Sequence, residues 1–204
     1  AAATAKAATK FHPGSQAHIT CNSGASQYIL GFQTESAQAA RVLAHHLGTG
    51  KNLKWMTSSG FPLINTSIKT GASVFAFPCV YSDASMLAVS VATSNDLIAS
   101  TTKQVVDQLK ATASSIDDVA ASRAVANTKM AAYQAFESAG SLRSSLVEMV
   151  TSQNATSLAD VASAYDSLNA SSVSALASKT FNAKPVGVSL GNAQSVPYLD
   201  TLGF

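Results

Sequence analysis

Residues 72–93 read ASVFAFPCVYSDASMLAVSVAT. Two runs rich in Val, Phe and Ala, 72–82 and 85–93, flank Asp83-Ala84, the pattern of two strands joined by a tight turn. Pro78 has no amide hydrogen to give to a ladder, so the first of these strands carries a sheet edge or a bulge at that point. Upstream, AHITCNS (17–23) and QYILGFQT (27–34) surround Gly24-Ala25-Ser26 and read as a second hairpin. Between the two pairs, Ser36 caps a helix that runs to about Leu47 and stops at Gly48. Residues 48–60 form a glycine-punctuated loop, and FPLINTSIK (61–69) is ambiguous in the sequence, a short helix begun at Pro62 being one reading.

Helical periodicity takes over downstream. Ile98, Val105 and Leu109 share one face of a helix over about 95–112. Ser115-x-x-Asp118 has the spacing of a capping box and opens a long helix with Val119, Ala126, Met130 and Tyr133 at helical intervals. Gly140 breaks it, and Leu142, Leu146 and Met149 continue on a new helix. Ser157-x-x-Asp160 opens another, carrying Leu158, Val161, Ala162, Tyr165 and Leu168. Asn169 caps the last, with Val173, Leu176, Ala177 and Thr180 on one face. In VGVSLG (186–191), Val186, Val188 and Leu190 alternate, so the chain returns to a sheet. The fold class is therefore α+β, a largely antiparallel sheet covered on one side by helices.

The 204 residues suffice for one domain with a sizeable core. They are 47% hydrophobic but only 7% aromatic and 12% charged, which favours closely packed helices over an aromatic-lined pocket. A net charge of +2, with no basic cluster interleaved with aromatics, speaks against a nucleic-acid partner. No apolar run approaches the ~20 residues of a membrane-spanning helix. Residues 1–9, AAATAKAAT, read as a linker or flexible N-terminus ahead of a domain over 10–204. Cys21 and Cys79 make no disulfide framework. Three sequons, at Asn65, Asn154 and Asn169, leave open a secreted binding module, which would need them glycosylated and the two cysteines bridged.

Candidate chemistry fails residue by residue. His45 and His46 adjoin on a helix, where consecutive side chains diverge by about 100°, so they cannot share an ion. His46 falls with Ala39, Val42 and Leu43 on the apolar stripe, and His45 with Gln38 and Arg41. The GTGK at 48–51 lacks the Gly that a phosphate loop needs at position 45 and the Ser or Thr it needs at 52, and it follows a helix instead of a strand. His18 and Cys21 are three apart on a strand and face opposite ways. Asp117 and Asp118 sit in a helix's first turn, where they favour the dipole. The residues nominate no catalytic centre, no metal site and no cofactor.

Six stretches together resemble one family: KFHPGS (10–15), VLAHHLGTG (42–50), VYSDASMLAVSV (80–91), VVDQLKATA (105–113), NTKMAAYQAFES (127–138) and VGVSLGNAQSVPYLDTL (186–202). They are similar to the core protein 2 family of mitochondrial ubiquinol–cytochrome c reductase, respiratory complex III. That family lies within the superfamily of pitrilysin-like zinc peptidases and mitochondrial processing peptidase. The likeness is spread over residues 10–202 and has no short invariant motif. It implies one half, the C-terminal one, of a two-half fold. The superfamily's inverted zinc motif, H-x-x-E-H, belongs to the other half of its catalytic members. In the processing peptidase α subunit a long glycine-rich loop follows the corresponding helix. Here GTGKNLKWMTSSG (48–60) scatters Gly48, Gly50 and Gly60 among bulky residues, Lys54 and Trp55 included, which favours a core protein over a presequence receptor.

The resemblance thus implies a non-catalytic structural subunit, peripheral on the matrix side of the mitochondrial inner membrane. Its partners would be the other half of its own subunit, core protein 1 and further complex III subunits. Exposed apolar surfaces on an isolated half would drive self-association. The rival is the accessory, substrate-binding half of a two-half zinc peptidase, for which Tyr133 is the one residue to nominate.

Overall fold

The computed structural model describes residues 9–50, 60–151 and 158–204. The linker assigned to 1–9 thus falls outside them apart from Thr9, as do Lys51, Lys54, Trp55 and Ser157. Five strands form one sheet: β1 (Gln16–Thr20), β2 (Ala25–Thr34), β3 (Ser73–Val80), β4 (Ser85–Ser94) and β5 (Val186–Gly191), in the order β1-β5-β2-β4-β3. Helices α1 (Ala37–Leu47) and α2 (Pro62–Thr70) separate β2 from β3. Helices α3 (Ile98–Ser114), α4 (Asp118–Gln134), α5 (Ala139–Thr151), α6 (Leu158–Asp166) and α7 (Ala170–Phe181) lie between β4 and β5.

The 72–93 hairpin forms as read: β3 and β4 pair antiparallel from Ser73↔Ala92 to Val80↔Ser85, and β3, the strand with Pro78, is at a sheet edge. The upstream hairpin does not form. β5 inserts between β1 and β2, parallel to the first and antiparallel to the second. The insertion depends on small residues. A Cβ on Gly187 would stand 2.8 Å from the Tyr28 hydroxyl, and one on Gly191 would stand 2.8 Å from the Ser26 Cα. Only a strand that is nearly bare on this face fits so closely against β2.

The core lies on one face of the sheet. Tyr28, Leu30 and Phe32 of β2, Leu87, Val89 and Val91 of β4, and Val74 and Ala76 of β3 are all buried there. Val42, Leu43 and Leu47 of α1, Ile98, Val105 and Leu109 of α3, and Val173, Ala177 and Phe181 of α7 join them in one core cluster. Phe32 meets Phe181 and Phe204 edge-on at centroid distances of 5.3 and 5.7 Å. The α+β architecture with helices on one side of a mostly antiparallel sheet is the one expected.

Local signals held at α1, where the Ser36 side chain accepts from the Ala39 amide at 3.1 Å, and at α7, where Asn169 and Ser172 form a reciprocal capping box. The Ser115 box does not form. Ile116 is buried between α3 and α4, which draws the connection tight. Ser115 therefore ends α3, and Asp117 occupies the N-cap of α4 without a side-chain bond. Gly140 lies inside the first turn of α5; the interruption comes earlier, with the Ser138 hydroxyl accepting from the Ser141 amide at 3.2 Å.

Two apolar stripes face away from where periodicity places them. On α4 the buried residues are Ala121, Ala124 and Thr128, while Val119, Met130 and Tyr133 are 69%, 56% and 44% exposed. On β5, Gly187, Ser189 and Gly191 point into the core, and Val188 and Leu190 point out. Small residues win the inner side in both cases because α4 and β5 each approach a neighbour closely.

Candidate interaction surfaces

The histidine pair separates as helical geometry requires. His46 is 6% exposed and hydrogen-bonds the Ala120 backbone, while its Nδ1 has no partner. Burial, and secondarily the Arg123 charge, hold its pKa below the ordinary histidine value against the opposing Ala120 bond, so the ring is a neutral core group. His45, turned to the other side, also has its pKa lowered by burial. Among the described residues no cluster of three His, Cys, Asp or Glu is placed to hold a metal.

The glycines of GTGK have structural work at their first position. Gly48 has φ 115°, donates to the Ala44 carbonyl at 2.9 Å and accepts from the Ala76 amide at 2.9 Å. Its missing Cβ would meet Ile64 at 2.7 Å. The turn is thereby tied to α1, α2 and β3 and closes the helix instead of opening one onto a phosphate. Cys79 lies on edge strand β3 and Cys21 follows β1 at the opposite edge. Four strand spacings, ~19 Å, separate those edges, far beyond disulfide reach. Both cysteines are free, which removes the bridge that a secreted module would need.

A cavity of about 550 Å³ lies between α1, the end of β3, α4, α5 and α6. Arg41 and His45 of α1, Tyr81, Met149, Asp160 and Tyr165 contribute to its walls. Tyr133 lies on the outward face of α4 and does not line it.

A second feature of the described residues is the uncovered face of the sheet. Pairing places Val188 beside Ile29, then Ser90, then Phe75, and Val186 beside Gly31, Ala88 and Phe77. Ile19 and Leu190 adjoin in the β1–β5 register. Ile19 is 57% exposed, Leu190 42% and Val188 36%, a contiguous apolar patch at the β1–β5 end. Towards β4 and β3 the same face is more closed: Ser90 and Ala88 are fully buried beneath their neighbours, and Gln27 donates to Ser90 at 3.0 Å. Scattered apolar residues on a surface are ordinary, but a continuous two-strand patch marks an interaction face. Alternation in VGVSLG located this strand; which of its faces turns inward was decided by glycines whose signal is steric, not hydrophobic.

No family model matches the sequence. The chain is 31% identical over 180 residues to cytochrome b-c1 complex subunit 2, mitochondrial, of Cryptococcus neoformans var. grubii, 86% of this chain and 40% of the relative. It is 27% identical over 207 residues to the Neurospora crassa protein of that name, covering 97% and 44%, and 26% over 204 residues to that of Yarrowia lipolytica, covering 95% and 46%. The chain thus spans less than half the length of these relatives. In fold it is similar to a chain of Candida albicans complex III2 with Inz-5 bound, with a TM-score of 0.81, 14% identity, and coverage of 93% of this chain and 48% of that one. It is also similar to a peptidase M16 inactive domain from Pseudomonas fluorescens, with a TM-score of 0.67, 19% identity and coverage of 89% and 44%. By sequence and by fold, then, the chain is similar to mitochondrial cytochrome b-c1 complex subunit 2 of these fungi, and in fold also to a peptidase M16 inactive domain.

Proposed function

We propose that this chain acts as one half of a core-protein-2-type subunit of mitochondrial complex III, with a structural and non-catalytic role. Residues 10–204 form its C-terminal peptidase-like domain. The observation that carries the reading, beside the relatives' shared name, is the apolar sheet face of Ile19, Val188 and Leu190, left uncovered by this chain's own helices. Such a face is what a half needs in order to pack against the remainder of a subunit, which in the relatives exceeds this chain's own length. Core protein 1 is the expected neighbour, and the matrix side of the inner membrane the expected location. Among the described residues no helix is long and apolar enough to cross a membrane, which agrees with a peripheral position.

Affinity capture from gently solubilised mitochondria of the source organism, followed by intact mass and haem spectra, tests this. Capture of a polypeptide about twice as long, bringing haem b and haem c with it, is the expected result. A polypeptide of 204 residues that comes alone and without haem overturns the assignment.

A further inference from the structure

The cavity bounded by α1, the end of β3, α4, α5 and α6 exists because α4 turns short side chains towards it. Thr128, Ala131, Ala132 and Ala135 recur at the spacing of one helical face, and all four line the space. Protein interiors are packed like organic crystals, with few voids larger than a water molecule. At about 550 Å³ this space is far larger than such a void. An engineered apolar cavity of ~150 Å³ takes up benzene. The present one has room for a molecule several times larger, within the ~300–1,000 Å³ of ordinary small-molecule pockets.

Its walls differ in chemistry. Opposite the alanines, α1 contributes Gln38, Arg41 and His45, three and four residues apart and so on one stripe. Phe136 and Met149 extend the apolar side with a ring and a thioether, groups that pack well on aromatic molecules. The charges on the wall call for no counter-charge. Arg41 and Asp160 are opposite in sign, and each is already engaged within the chain. Burial lowers the pKa of His45, so at neutral pH it meets a ligand as an uncharged imidazole with one donor and one acceptor nitrogen.

We propose that this cavity is a binding site for a small uncharged molecule with a flat aromatic body and one hydroxyl or carbonyl group. The body lies against Ala131, Ala132 and Ala135, and the polar group bonds to His45. A carboxylate in that place would face Asp160 with only an engaged Arg41 to balance it. The site shares no residue with the β1–β5 sheet patch, and the inference stands whether or not the complex III reading does.

Calorimetric titration of the full 204-residue chain with 2-naphthol, uncharged at neutral pH, tests this. Saturable binding of one molecule per chain is expected, with its carboxylate counterpart, 2-naphthoate, weaker by about tenfold or more. Ala132→Phe fills the space from the α4 wall and should abolish binding. Ala135→Leu, a milder filling by a good helix former, should weaken it. His45→Leu removes both ring nitrogens and should weaken 2-naphthol by ~2–10-fold, the value of one neutral hydrogen bond. Unchanged binding in the folded Ala132→Phe and Ala135→Leu chains would place the naphthol elsewhere, on the sheet patch for example. Equal or tighter binding of 2-naphthoate would mean an anion site. Undiminished binding in His45→Leu would remove the hydroxyl from α1, and no binding at millimolar 2-naphthol would leave the cavity without the stated ligand. Each of these four results overturns the proposal.

Discussion

The two faces of the sheet are both apolar, and only one is a core. On the inner face Phe32 and Leu30 are fully buried under α1, α3 and α7; on the outer face Leu190 and Ile19 meet solvent. The contrast shows that burial follows from what a side chain finds opposite it, not from its own hydrophobicity. The comparison breaks most visibly under truncation. Phe32→Ala should lower unfolding stability by ~3–5 kcal/mol, since it opens a cavity between Phe181 and Phe204. Leu190→Ala should change it by no more than about 0.5 kcal/mol. Chemical denaturation of both variants at low protein concentration checks the pair. Equal losses would mean that the outer face is already covered in solution.

A second test uses the one phenol of the inner face that lacks a partner. Tyr28 is fully buried, its hydroxyl has no hydrogen-bond partner, and burial pushes its pKa from 10.0 to about 12. The folded pKa is the higher one, so the contribution is intact below pH 10 and fades as pH rises through the interval to about 12. The loss of folding stability attributable to this group across that window is ~3 kcal/mol. Tyr28→Phe should flatten the alkaline limb of a stability–pH curve. At pH 7 it should be neutral or stabilising, because it removes a hydroxyl that is desolvated without compensation. An unchanged alkaline limb in the Phe variant would assign it to other groups.

Between these faces, the strand that joins them is set by glycine. Gly191 has φ 132°, and an added Cβ would press on the Ser26 backbone at 2.8 Å. Gly191→Ala should cost ~1–3 kcal/mol, whereas Gly24→Ala, with nothing within 4 Å, should be neutral or gain up to ~1 kcal/mol. Thermal melts of the two variants distinguish a steric requirement at β5 from a general need for flexibility near β2.

These cases also explain what could be read in the sequence. The 72–93 hairpin, the Ser36 and Asn169 caps and the helix stop at Gly48 depend on neighbours a few residues away, and they form as expected. The partner of β1 depends on Gly187 and Gly191, some 170 positions downstream, and no local pattern announces it. The outward stripes on α4 and β5 escaped for a related reason: periodicity finds two opposite sides, and when both carry apolar atoms it cannot rank them. The spacing rules for metal and phosphate sites are local, so those motifs were legible as tests at His45, His46 and the GTGK segment before any fold was known. The interaction faces were not, since they exist only once β1 and β5 lie side by side.

The smallest test concerns the outer face itself, which is not uniformly open. Ser90 points outward from β4 yet is fully buried, because Ile29 and Phe75 flank it in the register and Gln27 reaches across to donate at 3.0 Å. Ser90→Ala should cost only ~0.5–1.5 kcal/mol, the net value of one intramolecular hydrogen bond. Gln27→Ala should cost a comparable amount if water cannot replace the lost donor, and little if it can. A double-mutant cycle in denaturant measures the coupling. A coupling near 1 kcal/mol would mean that this part of the outer face is dry without any partner, so that a docking surface would begin only at Val188 and extend towards Ile19. A coupling near zero would mean that water reaches Ser90, and the docking surface would then widen across β4 to Phe75.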